Sequence, residues 1–409
     1  MATRETRCCV VGGGPAGLMT GYLLARAGVD VVVLEKHGDF LRDFRGDTVH
    51  PSTLDIMDQL GLIDRFLTLP HQKVARLSAQ FGDERVRIAD FSHLPVREKY
   101  IALMPQWDFL NFLAEEGERY PGFRLFMETR ATGLVEEDGT VVGVRTQGPG
   151  EAEGEVRADL VIGADGRGST LRDDAGLETI DAGAPMDALW FRLPHLPQDS
   201  EETMGRFGAG TLLVLLYRGD YWQCAYVIPK GEFESLKAGG LEAFRKTIAA
   251  ASPFEPARMD SIRGWDDVNL LTVRVDRLKQ WYRPGFLAIG DAAHAMSPIG
   301  GVGVNLAVQD AVAAANRLAR PLDARTVSLA DLSAVQRRRE FPTRVTQRLQ
   351  LVMQNRIVAP TLRTRAAPKP PLPVRLMQRF PTLQRIPARI LGLGVRRERV
   401  ADYIVRAER

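Results

Sequence analysis

The chain has 409 residues, 45% hydrophobic and 26% charged, which is the composition of a globular protein with room for two or three domains. Its three cysteines are too few for a disulfide framework and indicate a reducing compartment, so we expect a cytoplasmic protein. The polar start and the lack of a long apolar run lead us to expect neither a signal peptide nor a transmembrane span.

The net charge of +3 is unevenly distributed along the chain. Residues 331–409 hold 18 Lys and Arg against 5 Asp and Glu, a surplus of 13, which leaves a net charge of −10 for residues 1–330. That acidic body has no basic stripe interleaved with aromatic residues, which argues against nucleic acid as a partner. The six histidines are scattered without metal-ligand spacing, so we predict no metal site.

The N-terminal pattern predicts a strand over 7–11, a helix over 18–27 and a second strand over 30–34. Between the first strand and the helix lies a GxGxxG motif, and an acidic residue ends the second strand, which is the arrangement of a dinucleotide-binding unit. Gly12 allows the tight turn, Gly14 lets the backbone approach a pyrophosphate, and Gly17 lets helix and strand pack closely. Glu35 is expected to bind the adenosine ribose.

The middle of the chain adds a second turn motif and a set of strands of a different kind. Residues 158–165 predict a buried strand that ends at Asp165-Gly166. Residues 76–89 and 187–230 hold β-rich runs, including 211–217 and 221–228, that do not belong to a doubly wound unit and should pair as an antiparallel sheet. A polar linker over 231–240 and a helix over 241–251 follow.

The stretch 286–312 predicts a short strand ending at Gly290-Asp291, a loop of small residues, and a helix that begins near Gly303. A carboxylate at the end of a buried strand can accept hydrogen bonds from sugar or ribityl hydroxyls. The glycines let the loop backbone approach a flat ring, and the helix N-terminus favours negative charge.

The C-terminal region is basic and interrupted by prolines. Residues 328–358 predict one or two arginine-rich helices, and seven prolines break residues 359–390. This tail has three possible uses: it lies on an anionic membrane, it contacts a second subunit in a homodimer, or its helices wrap the body with solvated arginines.

The phosphate loop, the Asp165-Gly166 turn and the Gly290-Asp291 turn, in this order, resemble the FAD-dependent aromatic hydroxylases of the para-hydroxybenzoate hydroxylase type. The resemblance covers about residues 5–320. It implies an α/β fold with a Rossmann-like FAD-binding domain (1–75, 100–180 and 270–325). An interleaved antiparallel-sheet domain (76–99 and 181–269) would form the roof of the substrate pocket, and 326–409 a helical C-terminal tail.

The resemblance also implies the chemistry. NADH or NADPH would reduce FAD, O2 would add at flavin C4a, and the resulting hydroperoxide would hydroxylate an electron-rich aromatic substrate. Asp165 would serve FAD and the nicotinamide, Asp291 the ribityl chain, and Arg45 and Gln106 the flavin and its sugar-phosphate arm. The expected cofactor contacts are Gly12, Gly14, Pro15, Ala16, Gly17, Glu35, Lys36, Arg45, Gln106, Leu134, Asp165, Gly166, Gly290, Asp291, Pro298, Gly301, Gly303, Val304 and Asn305.

Four residues are candidates for contact with the substrate or for its activation. The resemblance implies that the Pro298 carbonyl faces the substrate. A base in a dry pocket would help to form a phenolate, and Tyr217 and Tyr226 on the roof strands and His294 beside the flavin loop are the candidates.

The roof departs from relatives that act on hydroxybenzoates, which clamp the substrate carboxylate with an arginine. Residues 221–226 contain no arginine, although Arg192 or Arg206 on other strands could replace it, so we expect a neutral, bulkier aromatic or polyketide-like substrate. Both tryptophans of the flavin-dependent halogenases are missing from 224–229. A reductase similar to the polyprenyl reductases and a flavin-binding protein without turnover remain the alternatives.

Overall fold

The computed structural model describes residues 2–41 and 47–407. Its strands are, in chain order, β1 (Ala2–Val11), β2 (Val31–Leu34), β3 (Thr48–Val49), β4 (Gln72–Val74), β5 (Arg76–Phe81), β6 (Glu84–Asp90), β7 (Ile101–Leu103), β8 (Phe123–Phe126), β9 (Arg130–Glu137), β10 (Thr140–Gln147), β11 (Glu153–Gly163), β12 (Thr179–Asp181), β13 (Met186–Pro194), β14 (Met204–Gly208), β15 (Thr211–Tyr217), β16 (Tyr221–Pro229), β17 (Asn269–Leu271), β18 (Asp276–Leu278), β19 (Tyr282–Arg283) and β20 (Phe286–Ala288). Its helices are α1 (Pro15–Arg26), α2 (Pro51–Gln59), α3 (Ile63–Phe66), α4 (Gln106–Gly117), α5 (Thr170–Asp174), α6 (Phe233–Ala238), α7 (Leu241–Ala251), α8 (Gly303–Asp323), α9 (Leu329–Met353), α10 (Ala359–Arg363), α11 (Leu372–Arg379), α12 (Arg385–Leu393) and α13 (Asp402–Val405).

A parallel sheet in the order β20-β11-β1-β2-β8 forms the centre of the larger domain. Its strand β2, Val31–Leu34, is a continuous apolar run and is buried throughout, as is typical of a parallel sheet. Helix α1 follows β1 and packs between α4 and α8. The carboxyl ends of β1, β11 and β20 therefore meet at one edge of the sheet, and each is followed by one of the three motifs found in the sequence.

The second sheet has the order β17-β13-β16-β15-β14-β5-β6 and combines strands from both inserted segments. The pair β14 and β5 is parallel, and the other pairs are antiparallel. Helix α7 covers one face with Phe244 and Ile248. Residues 270–271, which the sequence assigned to the FAD-binding segment, lie in β17 of this sheet. The segment 231–240, expected to be a linker, contains helix α6.

The C-terminal region is helical and packs against the rest of the molecule. Helix α9 contacts α8 and continues as one π-helical turn, Gln354–Val358, while α11 and α12 lie on β6. The α/β fold class with an interleaved sheet domain and a helical tail is confirmed. Over residues 2–41 and 47–407, no helix combines the length and the apolar composition that crossing a membrane requires.

Candidate active site

The glycines of the phosphate loop differ in whether the surrounding atoms leave room for a Cβ. A Cβ on Gly12 would lie 2.4 Å from the Ala164 carbonyl oxygen, and one on Gly17 would lie 1.8 Å from the Gly12 carbonyl oxygen, so both glycines are required by the packing. A Cβ on Gly14 would meet no atom within 4 Å. Gly14 is also the residue before Pro15, the first residue of α1, so the open side of the loop faces the positive end of a helix dipole.

Glu35 lies at the end of β2, as predicted. Its carboxylate is buried and accepts hydrogen bonds from the backbone N–H groups of Gly13, at 2.9 Å, and His37, at 3.0 Å. These two contacts brace the phosphate loop against the end of β2. The neighbouring Lys36 is exposed.

The two acid-glycine turns lie close together at the same sheet edge. Among the described residues, Asp165 has a buried Oδ1 without a hydrogen-bond partner, and burial raises the pKa of this carboxyl. Gly166 has a φ of +87°, and a Cβ there would meet nothing within 4 Å. Arg167 Nε donates to Asp291 Oδ2 at 2.9 Å. The sequence interpretation missed Arg167, although it immediately follows the first of these turns.

The loop between Asp291 and α8 is held from several sides. Gly301 has a φ of +61°, and its carbonyl accepts from Thr48 Oγ1 at 2.7 Å. A Cβ on Gly301 would lie 2.4 Å from that hydroxyl oxygen. The carbonyl of Pro298 accepts from the Gly301 N–H at 3.0 Å, so one of its lone pairs closes a turn and one remains for a ligand.

The N-terminus of α8 begins at Gly303, as predicted, with open space around its Cα. The first amide bonded back within the helix is that of Leu306, so the N–H groups of Gly303, Val304 and Asn305 precede the intrahelical ladder. The Asn305 side chain is already engaged. Its Oδ1 accepts from the His50 N–H and from Thr53 Oγ1, both at 2.8 Å, so any contribution of Asn305 to a cofactor must come from its backbone.

His294 differs from its expected role as a base facing the substrate. The ring is buried, and its Nε2 lies 2.6 Å from Asp310 Oδ2. Asp310 also accepts from the Gly290 N–H at 3.1 Å and from Arg339 Nε at 2.8 Å. Burial alone would raise the pKa of Asp310, but His294 and Arg339 hold it below its ordinary value. The structure therefore places His294 in a buried polar cluster that supports the Gly290-Asp291 turn.

Tyr217 and Tyr226 were expected to face the substrate, but they lie on the opposite face of the second sheet, which α7 covers. Side chains alternate along a strand, and Tyr217 and Tyr226 share a face with Trp222 and with the residues that pack on α7. The Tyr226 and Phe244 rings contact edge to face with centroids 6.2 Å apart. Tyr217 lies opposite Trp222, and its hydroxyl donates to Glu201 at 3.3 Å. Both tyrosines thus point toward α7 and away from the loop that contains Pro298, which contradicts a direct role for them.

The opposite face of the second sheet, which we call the inner face of the roof, packs against the loop that contains Pro298. Its Met186, Leu212 and Val227 form a cluster with Ile299 from the loop. Residues that share this face by register are Ala188, Trp190, Arg192, Val214, Leu216, Tyr221, Gln223 and Ala225. Of the two alternative clamps, Arg192 lies on this face, with its guanidinium 4.8 Å from the centre of the Tyr221 ring. Arg206 lies on the other face and donates to the Ala251 carbonyl of α7, so it cannot serve as the clamp.

A buried ion pair fastens the roof to the larger domain and was not predicted. Arg218, in the turn between β15 and β16, pairs with Asp47 Oδ2 at 2.8 Å and donates from Nε to Gln223 Oε1 at 2.9 Å. Burial raises the pKa of Asp47, although Arg218 opposes this effect. Gln106, the first residue of α4, lies beside this pair.

Leu134 and Arg45 are two further expected cofactor contacts. Leu134 is buried in β9, and its N–H donates to Asp174 Oδ2 at 3.1 Å. Arg45 lies outside the described residues. Within 2–41 and 47–407, no group of three or more His, Cys, Asp and Glu side chains is arranged to hold a metal ion.

The fold and the three motifs at one sheet edge define a dinucleotide-binding flavoprotein. The sequence model of the FAD binding domain family matches residues 5–349, and the chain belongs to this family. It is 36% identical over 394 residues to 6-methylpretetramide 4-monooxygenase from Streptomyces rimosus, covering 94% of this chain and 92% of the relative.

Other comparisons extend over less of the relative or show the fold alone. A rifampicin monooxygenase from Streptomyces venezuelae is 32% identical over 331 residues, covering 77% of this chain and 64% of the relative. The crystal structure of p-nitrophenol 4-monooxygenase from Pseudomonas putida DLL-E4 has a TM-score of 0.74 at 22% identity, covering 96% of this chain and 99% of that chain.

The chain is a FAD-dependent monooxygenase that uses NAD(P)H and O2, as the resemblance implied. Its relatives support hydroxylation and not the reductase or non-catalytic alternatives. The site fits FAD on two independent observations: the open approach to the backbone at Gly14, and the buried carboxylate oxygen of Asp165, for which the described residues supply no donor. When bound, FAD carries electrons from NAD(P)H to O2 and supplies the oxygen-transfer chemistry.

Proposed function

We propose that this enzyme hydroxylates a polycyclic, electron-rich aromatic polyketide and not a small hydroxybenzoate. The observation that carries the proposal is the similarity to 6-methylpretetramide 4-monooxygenase, which runs through nearly the whole of both chains. In the overall reaction, NAD(P)H, a proton, O2 and the aromatic C–H substrate give NAD(P)+, water and the hydroxylated product. One oxygen atom enters the new C–O bond, and the other leaves as water.

The inner face of the roof supports a large and uncharged ligand. Trp190, Val214 and Leu216 present partly buried apolar surface there, and Ala225 adds a small side chain between them. Arg192 is exposed near the Tyr221 end of this face, away from the Ile299 contact. A planar aromatic framework gains from apolar burial over such a surface, whereas a benzoate needs a carboxylate partner beside the reacting ring.

The roles proposed for the polar groups follow from their positions. The phosphate loop and the N-terminus of α1 bind the pyrophosphate, and Glu35 binds the adenosine ribose. Asp165 and Asp291 accept hydroxyl hydrogen bonds, while Arg167 pairs with Asp291 and holds its carboxylate in place. The α8 N-terminus stabilises negative charge on the reduced ring system. The remaining lone pair of the Pro298 carbonyl is available to the substrate.

The test is an anaerobic measurement of flavin reduction by NADH and NADPH with different ligands, followed by turnover under 18O2. We expect 6-methylpretetramide or a similar polycyclic ketide to accelerate reduction and to gain one labelled oxygen atom. Stimulation by 4-hydroxybenzoate or p-nitrophenol, with none by polycyclic ketides, would contradict the proposed substrate class. A reduced product without label would instead identify a reductase.

We also propose that the protein works in the cytoplasm and touches an anionic membrane surface through its tail. Residues 341–397 contain 12 Lys and Arg and no Asp or Glu. Helices α11 and α12 both lie on β6, and their apolar residues at i and i+4 spacing are exposed beside arginines. The exposed apolar residues are Leu372, Leu376, Phe380, Ile386 and Ile390. Basic amphipathic helices with exposed apolar side chains bind anionic lipid surfaces.

Cosedimentation with vesicles tests this contact. We expect binding to equal parts phosphatidylcholine and phosphatidylglycerol, weakening with salt, and none to phosphatidylcholine alone. Phe380→Ser should weaken binding, and Leu270→Ser, which changes an exposed apolar residue of the roof, should not. A concentration-dependent dimer that ignores vesicles but is abolished by Phe380→Ser would assign this surface to a second copy of the chain.

A further inference from the structure

The face of α9 that packs on the larger domain is polar, which is unusual for a buried helix surface. Gln347, Gln350 and Gln354 recur at three- and four-residue spacing, and their side chains are almost completely buried. Gln347 Nε2 donates to the Asp276 carbonyl at 2.7 Å and to the Ala295 carbonyl at 3.0 Å. Gln354 Nε2 donates to Ser297 Oγ at 2.8 Å. These contacts converge on the loop that leads into α8.

Gln350 makes the central contact of this set. Its Nε2 donates to the carbonyl oxygens of Ser297 and Ile299, both at 2.9 Å. These two carbonyls belong to the residues on either side of Pro298. An amide nitrogen has two N–H groups, so a single side chain satisfies both acceptors and fixes their separation.

We propose that Gln350 is a positioning residue that sets the orientation of the Pro298 carbonyl and of the turn that follows it. The inference rests on the proposed function, in which that carbonyl faces the substrate. With Ser297 and Ile299 both fixed, the peptide planes on either side of Pro298 have little freedom. The Gly301 N–H donates to the Pro298 carbonyl and closes the turn, and Thr48 Oγ1 donates to the Gly301 carbonyl. Side chains from α9 and from β3 therefore hold the loop on two sides.

The π-helical turn that follows α9 also contacts both the roof and the loop. Val358, at the end of the π-helical turn, clusters with Met186, Leu212 and Val227 of the inner roof face and with Ile299 of the loop. The tail therefore touches both the roof and the loop that face each other across the site. A shift of α9 would move the Pro298 carbonyl and Val358 together, which gives the C-terminal region a direct influence on substrate position.

The experiment compares Gln350→Met with Gln336→Met in the FAD-loaded enzyme. Gln336 is a matched control because it is buried on the same helix and also makes two backbone contacts, from the Trp281 N–H and to the Lys279 carbonyl, both at 3.0 Å. The readouts are amide hydrogen exchange in peptides covering 296–303, and the ratio of hydroxylated product and of H2O2 to NAD(P)H consumed.

We expect Gln350→Met to speed exchange in 296–303 and to lower product per NAD(P)H by about tenfold or more, because small misplacements of the reacting groups are costly. The NAD(P)H that no longer leads to product should instead give H2O2. Gln336→Met should keep the wild-type exchange rate and the wild-type product ratio. Equal exchange and equal product ratios in the two variants would overturn the inference. If the wild-type enzyme hydroxylates no substrate tested, the proposed function fails, and the exchange comparison still decides whether Gln350 holds the loop.

Discussion

Replacing Gly14 by alanine separates cofactor binding from folding. Gly14 has φ −79° and ψ −176°, which alanine adopts without strain, and the added Cβ meets no atom within 4 Å. The methyl group therefore enters only the space through which a pyrophosphate must approach the backbone. Gly17→Ala is the contrasting change, because its Cβ would lie 1.8 Å from the Gly12 carbonyl oxygen.

The expected magnitudes follow from these two environments. For Gly14→Ala, the poorer helix cap costs about 0.5–1 kcal/mol, and the reduced freedom of the unfolded chain offsets about 0.4–1 kcal/mol. The stability of the FAD-free protein should therefore hardly change. Loss of one hydrogen bond to a charged phosphate removes about 1.5–3 kcal/mol of binding, or roughly a tenfold to hundredfold weaker Kd for FAD. Gly17→Ala should instead destabilise the protein itself by about 1–3 kcal/mol or more.

The assay is a fluorescence titration of FAD-free protein with FAD, combined with thermal unfolding of the same samples. Gly14→Ala should keep the Tm of the FAD-free protein and lose most of the increase in Tm that FAD produces. A wild-type Kd for FAD in Gly14→Ala would refute the assignment of this loop to the pyrophosphate. Equal destabilisation by both substitutions would refute the distinction between the two glycines.

Two further predictions concern the buried polar cluster and the roof. Asp310→Asn should destabilise the protein by about 1.5–3 kcal/mol, because it removes one of the two carboxylates, Asp310 and Glu398, that pair with the buried Arg339. The pKa of Asp310 is lower in the folded protein than in the unfolded chain. The ionised carboxylate therefore stabilises the protein above about pH 4, and this stabilisation disappears as the pH falls through the folded-state pKa. In urea unfolding at different pH values, the free energy of unfolding of the variant should lack this part of the pH dependence. Tyr226→Phe should change kcat less than about twofold, whereas Val214→Trp on the inner face should abolish stimulation of flavin reduction by polycyclic ketides without weakening FAD binding. The opposite pattern in stopped-flow reduction would show that the inner face has been misassigned.

The features predicted correctly from sequence are those determined by short stretches of chain. The phosphate loop, Glu35 and the start of α8 each depend on a strand, a turn and a helix that are adjacent in sequence, so local pattern suffices to place them. Arg167 could have been found by the same reasoning, because it follows Asp165-Gly166 directly. The Arg218 and Asp47 pair could not, since its partners are far apart in sequence and meet only when the roof docks.

The roof tyrosines show where local pattern stops being sufficient. The sequence predicts β15 and β16 closely, but alternation alone does not say which of the two faces is covered by a helix and which faces the flavin. Both faces of β16 are buried here, because α7 covers one and the loop with Ile299 lies against the other. The deciding information is the packing of Phe244 and Ile248 on the face that contains Tyr226.

The buried face of α9 has a physical explanation in the loop that it covers. The loop 295–301 turns through Gly300 and Gly301, and its Ala295, Ser297 and Ile299 carbonyls accept hydrogen bonds from glutamine side chains of α9. Buried carbonyls need donors, and a helix can supply them only through side chains. Glutamine provides two N–H groups without adding a charge beside the flavin, which arginine or lysine would do. The spacing of the glutamines in α9 could therefore have been recognised in the sequence, although arginines lie between them, of which Arg337, Arg344 and Arg348 are exposed.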